Sequence, residues 1–234
     1  MTRTIDIPTF QAAVVRNCSP TLAGIKPASL FTYPGVYADQ DGSSVTAAIE
    51  DRRARLLNVI ARCNHELNPF GIHLSVLVWR PCGALVYAYR PNSLATYLAD
   101  PRAKTALAKK GYDTGNLSAC LVHLASRITL ASNNAAECAC GQTRCALDQQ
   151  VCCNNDCACE FPHEIGYFLG YPCDDVYEFI AQRGENYKIF GAWKVYTNVE
   201  QALATFHAYR ACTQHLTFIY QQGCSLAHLA QATR

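Results

Sequence analysis

The sequence lacks the features that mark several large classes of protein. Its 20 Lys and Arg residues nearly cancel its 18 Asp and Glu residues, and the formal net charge is +2. Without an excess of positive charge there is no electrostatic reason to expect binding to nucleic acid or to an anionic membrane. No apolar run approaches the roughly 20 residues that a membrane-spanning helix needs. We therefore expect neither nucleic acid nor a membrane as a partner.

The N-terminal stretch MTRTIDIPTFQAAVV lacks the apolar core of an export signal. Asp6 and Pro8 stand where a signal peptide would continue with apolar residues. We interpret this as the absence of an export signal and expect a cytoplasmic protein. Because that compartment is reducing, we expect the 14 cysteines to be metal ligands, reactive thiols or core residues rather than disulfides.

Hydrophobic periodicity predicts a mostly helical chain. The predicted helical regions are 43–71, 93–112, 116–130, 162–184, 198–223 and a short helix from Ser225. The first is expected to be capped by Ser43 or Ser44. A β-hairpin is predicted for residues 72–90, with a Pro-Cys-Gly turn, and a second β-like stretch surrounds Gly191. The prediction is an α+β fold over 1–234: a mostly helical single domain packed on a small antiparallel sheet.

Residues 131–160 interrupt this pattern with an irregular, cysteine-rich insert. Thiolates are ligands for zinc, copper(I) and iron–sulfur clusters, and close cysteine pairs can deliver several at once. The two-residue gap typical of zinc ribbons is absent. The insert therefore predicts zinc or another soft metal, or else a surface segment whose thiols have no metal role. Seven cysteines lie within its 22 central residues: Cys138, Cys140, Cys145, Cys152, Cys153, Cys157 and Cys159.

The stretch NCSPTLAGIKPASLF is a second candidate site. If Pro20 begins a short helix and Gly24 ends it, Cys18 lies at a helix N-terminus. Free amide groups and the helix dipole favour a thiolate there, and Lys26 adds a nearby cation. The pattern predicts a reactive cysteine or an anion-binding loop. The alternative is a structural turn around a buried cysteine.

His163 and Glu164 open the stretch HEIGYFLGYP. They do not form a zincin motif, because position 167 is Tyr instead of a second histidine. His163 is the best candidate partner for Cys18, as a base or an orienting group, with Glu164 orienting it in turn. The alternative is plain helix capping, in which the dipole favours Glu164.

Other side chains predict an anionic ligand. His123 and Arg127 share one flank of the helix predicted over 116–129 and could face a cleft. The alternative is an ordinary solvated flank. Three residues of NYKIFGAWKVY suit an anionic or planar ligand, or a plain sheet surface: Lys188, Trp193 and Lys194.

Several stretches resemble one bacterial family, domain of unknown function 3793. They are CSPTLAGIKPASLF, LVYAYR, CLVHLASRI and, above all, FPHEIGYFLGYPCDDVYEFI followed by GENYKIFGAWKVY, and the resemblance runs over about residues 14–226. The resemblance implies an origin in anaerobic bacteria, but this family has no established activity to carry over. Its members pass from the HLASRI helix to the PHEIG helix through a short polar connection. The resemblance therefore implies that the cysteine-rich insert is an addition, and that the shared site lies elsewhere.

The leading hypothesis is a small-molecule site for an anionic ligand, in a thiol-dependent hydrolase or transferase. Cys18 would be the nucleophile, and it must lie within hydrogen-bond reach of His163. The alternatives are a soft-metal-binding or metal-sensing protein that uses the insert, and a non-catalytic interaction protein. The candidate catalytic residues are Cys18, His163, Glu164 and His123, and the candidate ligand-binding residues are Lys26, Arg127, Lys188, Trp193 and Lys194.

Overall fold

A computed structural model describes residues 5–39, 46–134 and 161–231. It confirms the predicted α+β fold, with helices around a small antiparallel sheet. The seven cysteines of the metal hypothesis lie outside the described residues, and so do Ser43 and Ser44. Of the described helices, none is both long enough and apolar enough to cross a bilayer.

The described residues contain the following α-helices. They are α1 Ile7–Leu22, α2 Ala47–Leu67, α3 Pro91–Leu98, α4 Pro101–Ala108, α5 Leu117–Asn134, α6 Ile165–Phe168, α7 Cys173–Ala181, α8 Val199–Gln221 and α9 Leu226–Gln231. Asn198 caps α8 as predicted, because its Oδ1 accepts a hydrogen bond from the Gln201 amide at 3.0 Å. The cap predicted for α2 was wrong, since Thr46 occupies that position and accepts from the Ile49 amide at 3.4 Å.

The main sheet has three antiparallel strands in the order β1-β3-β2. The predicted hairpin is confirmed as β2 His73–Arg80 and β3 Gly83–Tyr89, whereas β1 Ala28–Tyr33 was not predicted. The β-like stretch around Gly191 is confirmed as a small hairpin of β4 Ile189–Phe190 and β5 Lys194–Val195.

Helices cover both faces of the main sheet. Alternate residues of β3 point to opposite sides, so that Val86 joins a core with α1, α2, α8 and α9, while Leu85 joins a core with α3, α4, α5, α6 and α7. Strand β3 is therefore buried on both faces, and the two cores are separated by the sheet.

The short helix predicted to begin at Pro20 was wrong. Helix α1 already begins at Ile7, where the Asp6 side chain accepts from the Thr9 amide at 2.8 Å, and Pro20 lies in its last turn. Because proline has no backbone N–H, Pro20 cannot donate to the Arg16 carbonyl, and the helix ends two residues later, at Leu22. Cys18 consequently lies near the C-terminal end of the helix, where the dipole does not favour a thiolate.

The predicted boundary of the insert also differs. Helix α5 continues to Asn134, so residues 131–134 are helical where an irregular segment was expected to begin at 131. The remainder of the insert, 135–160, lies outside the described residues.

Candidate functional site

Lys26 lies where three separate parts of the chain meet. Helix α1 ends at Leu22, and the Lys26 amide donates to the Pro20 carbonyl at 3.1 Å, which turns the chain towards β1. The turn between α6 and α7 packs on this loop at Gly170, where φ is +69° and a Cβ would overlap the Pro27 ring. Only glycine tolerates both constraints, and so the turn brings the next residue, Tyr171, against Lys26.

The side chain of Lys26 is enclosed by aromatic rings. Only 9% of the residue is exposed, and its Nζ lies 5.0 Å from the centre of the Tyr171 ring and 5.8 Å from that of Tyr209 on α8. The Trp193 ring stacks on the Tyr171 ring, with centroids 5.3 Å apart. Ring faces attract a cation but carry no net charge, so they compensate the ammonium group only in part.

Cys18 completes what we call the Lys26 site: Lys26, Cys18, Tyr171 and Tyr209. Burial raises the pKa of the Cys18 thiol to about 12, against a smaller lowering effect of the Lys26 charge. Burial lowers the pKa of the Lys26 ammonium to about 8. The thiol is therefore protonated at neutral pH, and the expected reactive thiolate is not supported, because the fully buried sulfur is removed from water.

The positive charge of Lys26 has no anionic partner among the described residues. None of the ion pairs formed within them includes its ammonium group. Burial raises the pKa of Tyr171 to about 12, with a further contribution from Tyr209, whose own pKa is raised by burial. Both phenols and the thiol are thus neutral at physiological pH. Such a site can attract a carboxylate or phosphate, and its deprotonated fraction can act as an amine nucleophile.

The predicted residues Glu164, Arg127 and His123 come together in a second group. Buried Glu164 accepts hydrogen bonds through Oε1 from Arg127 Nε at 2.8 Å and from the Tyr112 hydroxyl at 3.0 Å. The His123 ring packs edge-on against Tyr112, with centroids 4.5 Å apart. Since both interactions of Glu164 satisfy its charge, this group has the chemistry of a structural ion pair joining α5 to the start of α6.

The expected pairing of Cys18 with His163 receives no support from the structure. Cys18 packs in the core on one face of the sheet, whereas Ile165, two residues after His163, packs in the core on the other face. The His163 ring contacts Phe179 at a centroid distance of 5.0 Å. Lys194 Nζ lies 5.7 Å from the same Phe179 ring.

Two of the predicted ligand-binding lysines are used in local contacts. Lys188 Nζ donates to the Thr197 carbonyl at 2.9 Å, and Lys194 Nζ donates to the Gly184 carbonyl at 2.8 Å. Trp193 donates through Nε1 to Asp175 at 2.7 Å. Of the candidate ligand-binding residues, Lys26 therefore has the least satisfied side chain.

Comparison with protein families agrees with this chain's motifs. Residues 14–230 match the sequence model of a family described as "Protein of unknown function (DUF3793)". The chain belongs to the DUF3793 family. No curated protein matches it, and no solved structure matches it. The resemblance inferred from the motifs is confirmed, and the DUF3793 assignment groups the chain without assigning it an activity.

Sequence reasoning missed the aromatic half of the site in this DUF3793 chain. Tyr171 was part of a quoted motif and Tyr209 part of a predicted helix, but neither had a local signal that points to Lys26. The detectable hint was Gly170 itself, because a glycine between two helices often marks a turn or a close approach, and its φ is indeed positive. Within the described ranges no three His, Cys, Asp or Glu side chains are grouped to hold a metal ion.

Proposed function

We propose that this protein binds a small anionic molecule through the ammonium group of Lys26. The observation that supports the proposal is the buried positive charge, which no described carboxylate neutralises. An isolated buried charge is costly, and proteins usually pair it or shift its pKa. A ligand carboxylate or phosphate would supply the missing charge, while Tyr171 and Tyr209 have hydroxyl groups able to donate to the same anion.

The proposal keeps the anionic ligand expected from the sequence and replaces thiol catalysis by binding. A thiol with a pKa of about 12 is almost entirely protonated at neutral pH, and the thiolate is the nucleophilic form. Cys18 instead contributes an apolar side chain to the site and belongs to the core formed with α1, α2, α8 and α9.

Titration of the protein with candidate anions at several pH values tests the proposal. Protein labelled with ¹³C-lysine would be titrated with acetate, citrate and inorganic phosphate, and the Lys26 resonance followed by NMR. We expect one of these anions to shift that resonance at neutral pH and to raise the Lys26 pKa. Above about pH 8 the affinity should fall about tenfold per pH unit, because the amine loses its charge.

Two variants give the matched comparison. Lys26→Met keeps an unbranched side chain but removes the charge, and it should abolish anion binding as measured by calorimetry, since this variant has no Lys26 resonance to follow. Lys104→Met changes an exposed lysine on α4 and should leave binding unchanged. If none of the three anions shifts the Lys26 resonance, or if Lys26→Met retains the affinity, the proposal is wrong.

A further inference from the structure

The loop that carries Lys26 is held at both ends by Arg90, the residue that follows β3. The Arg90 guanidinium donates through Nε to the Thr21 carbonyl at 2.8 Å and through Nη2 to the Leu22 carbonyl at 2.6 Å. The Arg90 amide donates to the Pro27 carbonyl at 2.9 Å. Because these bonds hold the backbone on both sides of Lys26, they fix where its amine is presented to a ligand.

The Lys26 amine lies in surroundings that favour its neutral, nucleophilic form. The residue is 9% exposed, and its Nζ lies 5.0 Å and 5.8 Å from the centres of the Tyr171 and Tyr209 rings. None of the ion pairs formed among the described residues includes it. Burial lowers the pKa of its ammonium to about 8, so about a tenth of the amine is neutral at about pH 7, against less than about 0.1% for an exposed lysine. A lysine desolvated by an apolar environment is the form that attacks carbonyl carbons.

We propose that Lys26 forms an imine with a small 2-oxo acid, a ligand that carries a carbonyl group beside a carboxylate. This inference rests on the proposed anion binding and names the class of the anion. The protonated imine keeps the positive charge on Nζ, and the adjacent carboxylate of the ligand neutralises that charge within the buried site. A simple carboxylic acid would supply the charge but offers the amine no electrophile. An uncharged aldehyde would leave the charge of the protonated imine unpaired.

The reaction conserves atoms and charge without an additional reactant. The neutral Nζ attacks the carbonyl carbon, a C–N bond forms, and one proton moves from nitrogen to oxygen to give a carbinolamine. The hydroxyl group then leaves with the remaining nitrogen proton as water, and the C=N bond forms. The proton that the ammonium released before the attack returns to the imine nitrogen. The ammonium and the 2-oxo acid thus become a protonated imine and water.

The aromatic rings of the Lys26 site suit the product as well as the amine. Ring faces attract the cation of a protonated imine as they attract an ammonium. Enclosure of the side chain also keeps bulk water from the C=N bond, whose hydrolysis reverses the reaction. Because most of the side chain is buried, the site favours a ligand of few atoms, such as glyoxylate or pyruvate.

Reductive trapping with glyoxylate tests the inference. Sodium cyanoborohydride would reduce any imine to a stable secondary amine, and mass spectrometry of peptides would identify each labelled lysine. At about pH 7 we expect Lys26 to be labelled at least about tenfold faster than the exposed Lys104, because more of its amine is neutral. That ratio should fall more than about tenfold by about pH 10, where exposed lysines also become neutral. In urea-unfolded protein both lysines should be labelled at the same rate.

Two other small molecules serve as controls for the class of ligand. Lactate has a hydroxyl group in place of the carbonyl, so it should shift the Lys26 resonance and slow the labelling of Lys26 by glyoxylate without forming an adduct. Acetaldehyde has the carbonyl but no charge, so its preference for Lys26 over Lys104 should be smaller than that of glyoxylate.

The outcomes separate this inference from the proposed anion binding. If lactate shifts the Lys26 resonance but glyoxylate labels Lys26 no faster than Lys104, the imine is excluded and the anion binding stands. If neither lactate nor glyoxylate affects Lys26, both proposals are wrong. Equal preferences for Lys26 with glyoxylate and acetaldehyde would overturn the assignment to 2-oxo acids.

Discussion

At the scale of single residues, burial changes the chemistry of the ionisable groups in the Lys26 site. Lys26 and Cys18 are both removed from water, so each tends towards its neutral form: the ammonium pKa is lowered to about 8 and the thiol pKa is raised to about 12. From the sequence, with both side chains taken as exposed, we predicted a thiolate at Cys18 that the nearby Lys26 cation stabilises. The difference arises from desolvation, which local sequence does not report.

The charge of Lys26 should lower stability, and Lys26→Met should raise it. The folded-state pKa is about 8, whereas the unfolded ammonium has an ordinary pKa near 10.4, and this gap corresponds to roughly 3 kcal/mol at neutral pH. Below about pH 8 both states are protonated, and the full penalty is present. Between about pH 8 and about pH 10.5 the unfolded state binds more protons, so the wild type gains stability and the advantage of Lys26→Met disappears.

Urea unfolding of the wild type and the variant across this pH range measures the effect. Lys104→Met, an exposed substitution, should change stability by less than about 0.5 kcal/mol at every pH. Other buried thiols and phenols also titrate above pH 9, but they are common to both proteins and cancel in the difference. A Lys26→Met variant that is less stable than the wild type at pH 7 would contradict the prediction.

Cys18 should be protected from alkylation in the folded protein. Its sulfur is fully buried and its thiol is protonated, whereas Cys82 is exposed at the hairpin turn. With iodoacetamide under native conditions, site-resolved mass spectrometry should show Cys82 labelled and Cys18 labelled at least about a hundredfold more slowly than Cys82. Labelling of Cys18 as fast as Cys82 would restore the reactive-cysteine hypothesis.

At the scale of elements, one buried carboxylate joins α7 to the residues on either side of β5. Asp175 accepts from Trp193 Nε1 at 2.7 Å, from the amides of Tyr196 and Thr197 at 2.9 Å each, and from the Thr197 hydroxyl at 2.8 Å. These four bonds satisfy the carboxylate and hold the Trp193 ring against Tyr171. Because Tyr171 contacts Lys26, Asp175 indirectly supports the Lys26 site.

Asp175→Asn should destabilise the protein by about 3 kcal/mol. The amide introduces a donor where four donors already converge, and it removes the charge that strengthens their bonds. Asp174→Asn is the matched control, because Asp174 lies in the same first turn but is exposed and pairs with Arg102. It should cost less than about 1 kcal/mol. Urea unfolding measures the loss of stability in both variants. Near-UV circular dichroism should show a loss of Trp193 order only in Asp175→Asn. If both variants lost the same unfolding free energy, the four hydrogen bonds would contribute little.

At the scale of the whole molecule, the sheet separates two cores that each support different candidate residues. Cys18 belongs to the core with α1, α2, α8 and α9, while Glu164 lies beside Tyr112 in the core of the opposite face. The constellation of Cys18, His163 and Glu164 expected from the sequence is therefore divided between two faces. The metal hypothesis concerns cysteines outside the described residues and requires a test on the whole chain.

If the cysteine-rich insert binds metal, protein purified anaerobically should contain zinc or another soft metal in stoichiometric amount. Cys152→Ser with Cys157→Ser should remove it, because thiolates are the ligands. Cys82→Ser with Cys212→Ser replaces two cysteines outside the insert and should leave the metal content unchanged. Elemental analysis of the three proteins decides the question. A metal-free wild type, or a metal that persists without Cys152 and Cys157, would exclude the hypothesis.

The sequence alone determined the α+β class, the hairpin, most helices and the cap at Asn198, because periodicity and capping act over a few neighbouring residues. It did not predict α1 and β1: Pro20 indicated the start of a helix although it lies in the last turn of α1, whose apolar residues include Phe10, Val14 and Leu22. Only the tertiary structure decided which charges are buried and what they contact. Glu164 meets Tyr112 from 52 residues away, and the rings around Lys26 come from a distant turn and helix. Burial and partner choice depend on such remote contacts, which no local pattern contains.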